Sequence, residues 1–310
     1  MKLLVTGGAG FIGSNFVRFM LENNPEVEII NLDLLTYAGN LDNIKFIDGA
    51  RHAFVKGDIC DKRLVLDLME QADAVVHFAA ESHVDNSIRD SEPFVRTNVL
   101  GTQTLLEAAR KSDVKKFIHI STDEVYGVSD GKLKEDAQLK PRNPYSATKA
   151  AADFLAQSYY ITYGLPVVIT RAANNFGPCQ HSEKLLPKVI MNALQNKKIP
   201  VYGQGLQRRN WLYVDDNCAA VNFLLERGKA GEAYNITDEN ELPNIELVKK
   251  VLNILGRPES LIEFVHDRPG HDFVYRIDAA KIRALGWQPK HGFEASLLKT
   301  AGWYTDALKN

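Results

Sequence analysis

Residues 2–13 read KLLVTGGAGFIG. A short apolar run, KLLVT, ends in glycines. Residues 14–23 then place Phe16, Val17, Phe19, Met20 and Leu21 on a broad apolar face at helical spacing. Gly8, Gly10 and Gly13 satisfy G-x-G-x-x-G, and Gly7, Gly10 and Gly13 give G-x-x-G-x-x-G, with Phe11 and Ile12 inside the turn. A glycine triplet alone is a weak signal. This one follows a first strand and opens a first helix, where a backbone can approach a pyrophosphate and free N–H groups face it. Asp33 ends the next apolar run, 27–32 (VEIINL). A carboxylate there bonds a ribose 2′-hydroxyl and repels a 2′-phosphate, which favours NAD over NADP.

Working outward, further β-like runs lie at 53–58 (AFVKGD), 74–80 (AVVHFAA), 116–122 (KFIHIST) and 166–172 (PVVITRA). Helical patterns lie between most of them, at 61–71, 92–112 and 145–163. Strands alternating with helices predict an α/β fold, a Rossmann-like doubly wound parallel sheet. Fully apolar strands fit a sheet covered on both faces. After residue 172 the alternation weakens, and helices are expected at 183–196, 215–227 and 244–255. We expect an NAD-binding domain over 1–170 and a smaller C-terminal substrate-binding lobe over 171–310. The stretch 214–228 (VDDNCAAVNFLLERG) reads as a helix that packs back on the first domain.

Composition narrows the class. The chain has 310 residues, 45% hydrophobic and 25% charged, with net charge −2, which is ordinary for a soluble protein. No basic run points to nucleic acid. The three cysteines, Cys60, Cys179 and Cys218, make neither a disulfide framework nor a metal site. No apolar run is long enough for a bilayer, and the N-terminus does not read as a signal peptide, so a cytosolic protein without a membrane partner is expected.

Several strand ends carry candidate ligand groups. Asp58, followed by Ile59, either accepts from an adenine amino group or caps the helix at 61–71. Ala79 and Ala80 are small, leaving room for a ligand or for close helix packing. Tyr145 and Lys149 (YSATK, 145–149) share a helix face one turn apart. A free tyrosine is a poor base at neutral pH, but a neighbouring ammonium and the positive nicotinamide of NAD+ would lower its pKa. It could then take a proton from an alcohol. Just before it, Thr122, Asp123 and Glu124 close the run HISTDEVYG (119–127). Two adjacent carboxyls in a closed site do not both stay ionised, so one can hold a proton. The sequence leaves open which.

These features together resemble the extended short-chain dehydrogenase/reductase family. LLTYAGN (34–40), HFAAESHVD (77–85), STDEVYG (121–127), NPYSATKAAAD (143–153), NNFGP (174–178), EKLLP (183–187), NWLYVDD (210–216) and DRPGHD (267–272) look like its dTDP-glucose 4,6-dehydratase branch, nearly end to end. Phe176 and Asn210 depart from the residues usual there. The resemblance implies a lyase that oxidises the sugar at C4, removes water across C5 and C6, and returns the hydride to C6. It assigns Glu124 as base at C5, Asp123 as acid at C6, Thr122 as partner of the C4 oxygen and Tyr145 as the C4 base. It adds Asn98 and Asn175 to the cofactor site. For the substrate it implies Ser82, Asn174, Glu183, Lys184, Leu185, Pro200, Tyr202, Arg209, Asn244, Arg268, His271 and Tyr275, the cations serving the phosphates. Tyr202 reads equally as plain core, and His83 as a packing residue. A homodimer is implied, through helices matching 97–112 and 145–163. So is a downstream role in deoxysugars such as rhamnose. The same dehydration of UDP-glucose is the first alternative. A UDP-sugar 4-epimerase has no need of the acid pair, and a non-catalytic NAD-binding regulator would tend to lose Tyr145 or Lys149.

Overall fold

A computed structural model describes residues 1–45, 47, 49–267 and 272–308. Its main sheet has seven parallel strands in the order β10-β6-β5-β4-β1-β2-β3. They are β1 (Lys2–Thr6), β2 (Glu28–Asp33), β3 (His52–Lys56), β4 (Ala74–His77), β5 (Lys116–Thr122), β6 (Val167–Ala172) and β10 (Ala233–Ile236). Every residue of β4 and β6 is buried, as both-face coverage requires. Two small sheets complete the strands. One is three-stranded, β7 (Asn174–Phe176), β9 (Arg208–Tyr213) and β11 (Glu241–Pro243); the other pairs β8 (Ile199–Tyr202) with β12 (Ile262–Val265).

The helices are α1 (Phe11–Asn23), α2 (Lys62–Met69), α3 (Val84–Arg89), α4 (Glu92–Phe94), α5 (Thr102–Lys111), α6 (Pro144–Tyr163), α7 (Leu185–Leu194), α8 (Val214–Arg227), α9 (Asn244–Ile254), α10 (Ala280–Ala284) and α11 (Phe293–Ala307). The single helix expected at 92–112 is not uniform. Between α4 and α5 it widens into a π segment, Val95–Gly101.

Strand order reverses between β1 and β4, so a crevice opens at their carboxyl ends. The chain beyond residue 172 returns twice to this scaffold. β10 pairs with β6 at the sheet edge, and α8 lies along α1. Val214, Cys218 and Val221 share a buried cluster with Phe16 and Val17, and Arg18 bonds Asp215 at 3.0 Å. That cluster runs on without a break to Leu247, Ile282 and Tyr304.

Candidate active site

A cleft of about 1230 Å³, its open mouth included, follows the strand ends. Gly7, Gly10, Phe11, Ile12 and Gly13 line it from β1, Asp33 from β2, Asp58 and Ile59 after β3, and Ala79, Ala80 and Ser82 after β4. Tyr145, Lys149, Glu183 and Lys184 close its far side.

The floor suits a dinucleotide. Gly7 has φ +74°, and a Cβ there would sit 2.6 Å from the Ala79 amide nitrogen; one on Gly13 would sit 2.2 Å from the Gly7 carbonyl oxygen. Only bare backbone fits the crossing. No side chain caps the N-terminus of α1 and no acid stands in its first turn, so its leading amides stay available to an anion. Asp33 is buried at the cleft wall, Oδ2 accepting from the Ala9 amide at 2.9 Å and Oδ1 from Leu35 at 2.8 Å. Asp58 is not the cap of α2: Asp61 is, accepting from Arg63 and Leu64. Burial would raise the Asp58 carboxyl, but the Cys60 amide and Arg96 outweigh it and hold it low. Asn98 is buried away from the cleft. It accepts from the Glu81 amide at 2.9 Å, and donates to the Glu81 carbonyl and the Thr148 hydroxyl at 3.0 Å each. It therefore ties the loop after β4 to α6. Asn175 donates to the Ala173 carbonyl at 2.9 Å.

At the end of β5 the chain turns into a short 3-10 helix, Asp123–Tyr126, capped by Thr122, whose Oγ1 accepts from the Glu124 amide at 3.3 Å. This turn sets the two acids side by side. Asp123 is buried, and its Oδ2 has no hydrogen-bond partner among the described residues. Burial first, then the Glu124 charge, push its carboxyl up to about 7, although Arg209 opposes them. Glu124 is half-buried. Its Oε2 accepts from Asn143 Nδ2 and the Tyr275 hydroxyl, each at 3.5 Å. Asn143 also caps α6 through a reciprocal bond pair with Ser146. One residue thus fixes both the helix start and the nearby carboxylate.

That helix start places Tyr145 and, one turn on, Lys149. Tyr145 is buried, its ring edge-on to Phe94 at 6.4 Å. Its phenol is pushed up, by burial first and then by Glu124, while the Thr122 hydroxyl eases it down. Lys149 donates to the Ile120 carbonyl at 2.6 Å, and burial brings its ammonium down to about 8.

The substrate-side residues fall into two groups. Lys184 reaches the Ser82 carbonyl at 2.8 Å, and Glu183 accepts from the Tyr37 hydroxyl at 3.4 Å; Leu185 opens α7 behind them. Arg209 is buried, its guanidinium 4.4 Å over the Tyr275 ring and bonded to the Arg208, Asp272 and Phe273 carbonyls. Tyr275 also bonds Asp272. Asn174 and Asn244 each keep a buried carbonyl oxygen unpartnered among the described residues. Pro200 and Tyr202 lie on β8. Tyr202 is exposed, not core, and reaches Asp85 at 3.2 Å. Arg268 and His271 lie outside the described residues. His83 caps α3 through Asn86. Sequence reasoning missed Tyr37, Glu81 and Asn143. Only Asn143 had a usable signal, the N-P-x-S start of α6.

A glycine turn at the reversal of a parallel sheet, beside a helix carrying Tyr-x-x-x-Lys, defines a short-chain dehydrogenase/reductase. The acid pair is a further addition to that class. The chain belongs to the family described as GDP-mannose 4,6 dehydratase, which matches residues 4–300. The low-salt glycan biosynthesis protein Agl12 of Haloferax volcanii is 56% identical over 306 residues, covering 98% of each chain. A dTDP-glucose 4,6-dehydratase of Streptomyces niveus is 48% identical over 99% of this chain and 93% of its own. In structure the chain resembles DesIV, a dTDP-glucose 4,6-dehydratase of Streptomyces venezuelae crystallised with NAD and TYD bound. There the TM-score is 0.97 at 47% identity, covering 99% of this chain and 97% of that one.

Proposed function

We propose that the protein is an NAD-dependent hydro-lyase that converts dTDP-glucose to dTDP-4-keto-6-deoxyglucose and water. The observation that carries this is the Asp123–Glu124 pair, whose charges act on Tyr145 at the cleft, with one carboxyl able to hold a proton at neutral pH. NAD, when bound, would supply the hydride acceptor for C4 of the sugar and the hydride donor for C6. The glycine turn, Asp33 and the loop at Ala79 and Ala80 would hold it.

Tyr145 takes the C4 hydroxyl proton while Thr122 hydrogen-bonds the C4 oxygen. The resulting ketone acidifies the C5 hydrogen, which Glu124 removes as general base and returns to C5 as C6 is reduced. Asp123 gives its proton to the C6 hydroxyl, which leaves as water. Asn143 and Tyr275 keep Glu124 aimed. Arg209 and Lys184 serve the diphosphate, and the family resemblance gives Arg268 and His271 the same role.

No helix among the described residues is long and apolar enough to cross a membrane. The free thiols Cys60, Cys179 and Cys218 suit a reducing compartment, and we place the enzyme in the cytoplasm. Phe154 and Ile161 on α6 are 58% and 72% exposed, and Val95 and Leu100 on the neighbouring π segment are also exposed. We assign this apolar face to a homodimer.

The test is incubation with dTDP-glucose and, separately, UDP-glucose, followed by mass spectrometry. Loss of one water with no net NADH is expected, faster for dTDP-glucose. A faster UDP-glucose reaction would change the base assigned. An unchanged mass with a galactose-configured product would overturn the dehydratase reading.

A further inference from the structure

Beneath Lys149 the core holds charges that the reaction described above leaves unused. Asp153 stands one turn beyond Lys149 on α6, so carboxylate and ammonium share a helix face. Asp153 is 2% exposed. Its Oδ2 accepts from Arg171 Nε at 2.9 Å. Its Oδ1 lies 3.3 Å from His119 Nε2, but no well-aligned donor reaches it among the described residues. Arg171 is also shared, donating to the Tyr126 hydroxyl at 2.7 Å and the Glu135 carbonyl at 3.1 Å.

Lys149 shares its face of α6 with Asp153, and its charge acts on His77 of β4 and His119 of β5. Burial pushes both imidazoles down, so neither adds a charge at neutral pH. His77 spends its ring nitrogens on the Thr6 and Thr102 hydroxyls, at 2.8 and 2.9 Å. Asp153 is therefore the one anion of this buried group, with Arg171 and Lys149 as its cations. A buried ammonium with a single carbonyl partner is costly unless an opposite charge is near.

We propose that Asp153 is a positioning residue for the Tyr145–Lys149 pair: its carboxylate, anchored by Arg171, keeps Lys149 an ammonium beneath the cleft. This rests on reading Lys149 as the partner of Tyr145. The Lys149 ammonium sits at about 8, where burial pulls it down and Asp153 holds it up. Removing the carboxylate lowers it further, into the neutral range. Removing the Arg171 charge while Asp153 stays raises it. A merely structural role for the network predicts no such opposed pair of shifts.

The experiment is an NMR titration of the full chain with lysine labelled at 13Cε, the Lys149 signal assigned by its absence in Lys149→Met. In Asp153→Asn the signal should titrate roughly one pH unit lower. In Arg171→Gln it should titrate higher. A folded Asp153→Asn protein with an unmoved Lys149 overturns the proposal. If circular dichroism shows Asp153→Asn unfolded, Arg171→Gln decides: an upward shift supports the proposal, and no shift or a downward one overturns it. Absence of any dehydration by the unaltered enzyme would instead overturn the functional reading, and the titration would still decide the role of Asp153.

Discussion

Asp123 carries opposite demands at the residue scale. A general acid must be protonated, so its useful form exists below its folded pKa and is lost as pH rises through about 7. The dehydration rate should therefore fall on the alkaline side of neutrality, and Asp123→Asn should abolish that limb while cutting kcat by roughly 10²–10⁴-fold. Stability also falls as pH rises, but over a lower window. Below the unfolded pKa of about 4 both states are protonated and nothing is lost. Between there and about 7 the unfolded chain ionises while the folded one does not, so stability falls as pH rises. The full penalty is at most about 4 kcal/mol. Asp123→Asn should thus raise Tm at pH 7.5, with the gain vanishing near pH 4; an equal Tm shift at both would refute the linkage. Glu124→Gln should cost a similar factor in kcat with dTDP binding unchanged by calorimetry. A lost affinity would make Glu124 a binding group. That Tyr145 and Lys149 share a helix was legible from their spacing, and α6 carries both; the roles of the acids came from the family resemblance. Asn98 was not legible, because only the fold shows that its amide is consumed by Glu81 and Thr148.

Two elements hold the site in place. The turn between β1 and α1 is backbone against backbone, and Gly13→Ala would drive a methyl to 2.2 Å from the Gly7 carbonyl oxygen. The chain must shift there, so NAD retained through gel filtration should drop sharply, while circular dichroism keeps its helical content. Unchanged retention would show that the turn yields freely. The π segment is the second element. It carries Asn98, whose replacement by alanine leaves the Glu81 amide and carbonyl unpaired, at about 1–3 kcal/mol each. Asn98→Ala should lower Tm by several degrees and raise KM for dTDP-glucose through the loosened Ser82 loop; an unchanged Tm would mean water replaces the amide. The parallel strands were readable because burial on both faces makes them apolar throughout. The π segment was not, because its residues keep helical spacing and its wider register follows from packing against α6. Nor did periodicity show that AYNI, residues 233–236, returns to the large sheet, since four residues carry too little pattern.

On the scale of the whole molecule, one side of the chain carries exposed apolar side chains. α6 turns Tyr145 and Lys149 inward and Phe154 and Ile161 outward, the latter pair 58% and 72% exposed. Val95 and Leu100, on the π segment that packs against α6, are 51% and 44% exposed, and exposed apolar groups of this kind mark a candidate interface. A second copy meeting it by a two-fold axis presents the same face in return, which is the commonest way such a surface closes. Sedimentation should therefore give twice the 34.7 kDa chain mass. Phe154→Glu combined with Ile161→Glu places two charges on each side of the axis, and like charges brought together there should give monomers. Those monomers should still bind NAD, with kcat reduced only as far as α6 loosens. A wild-type protein that sediments at the single-chain mass would remove the dimer. A double variant that stays dimeric would move the interface to another face.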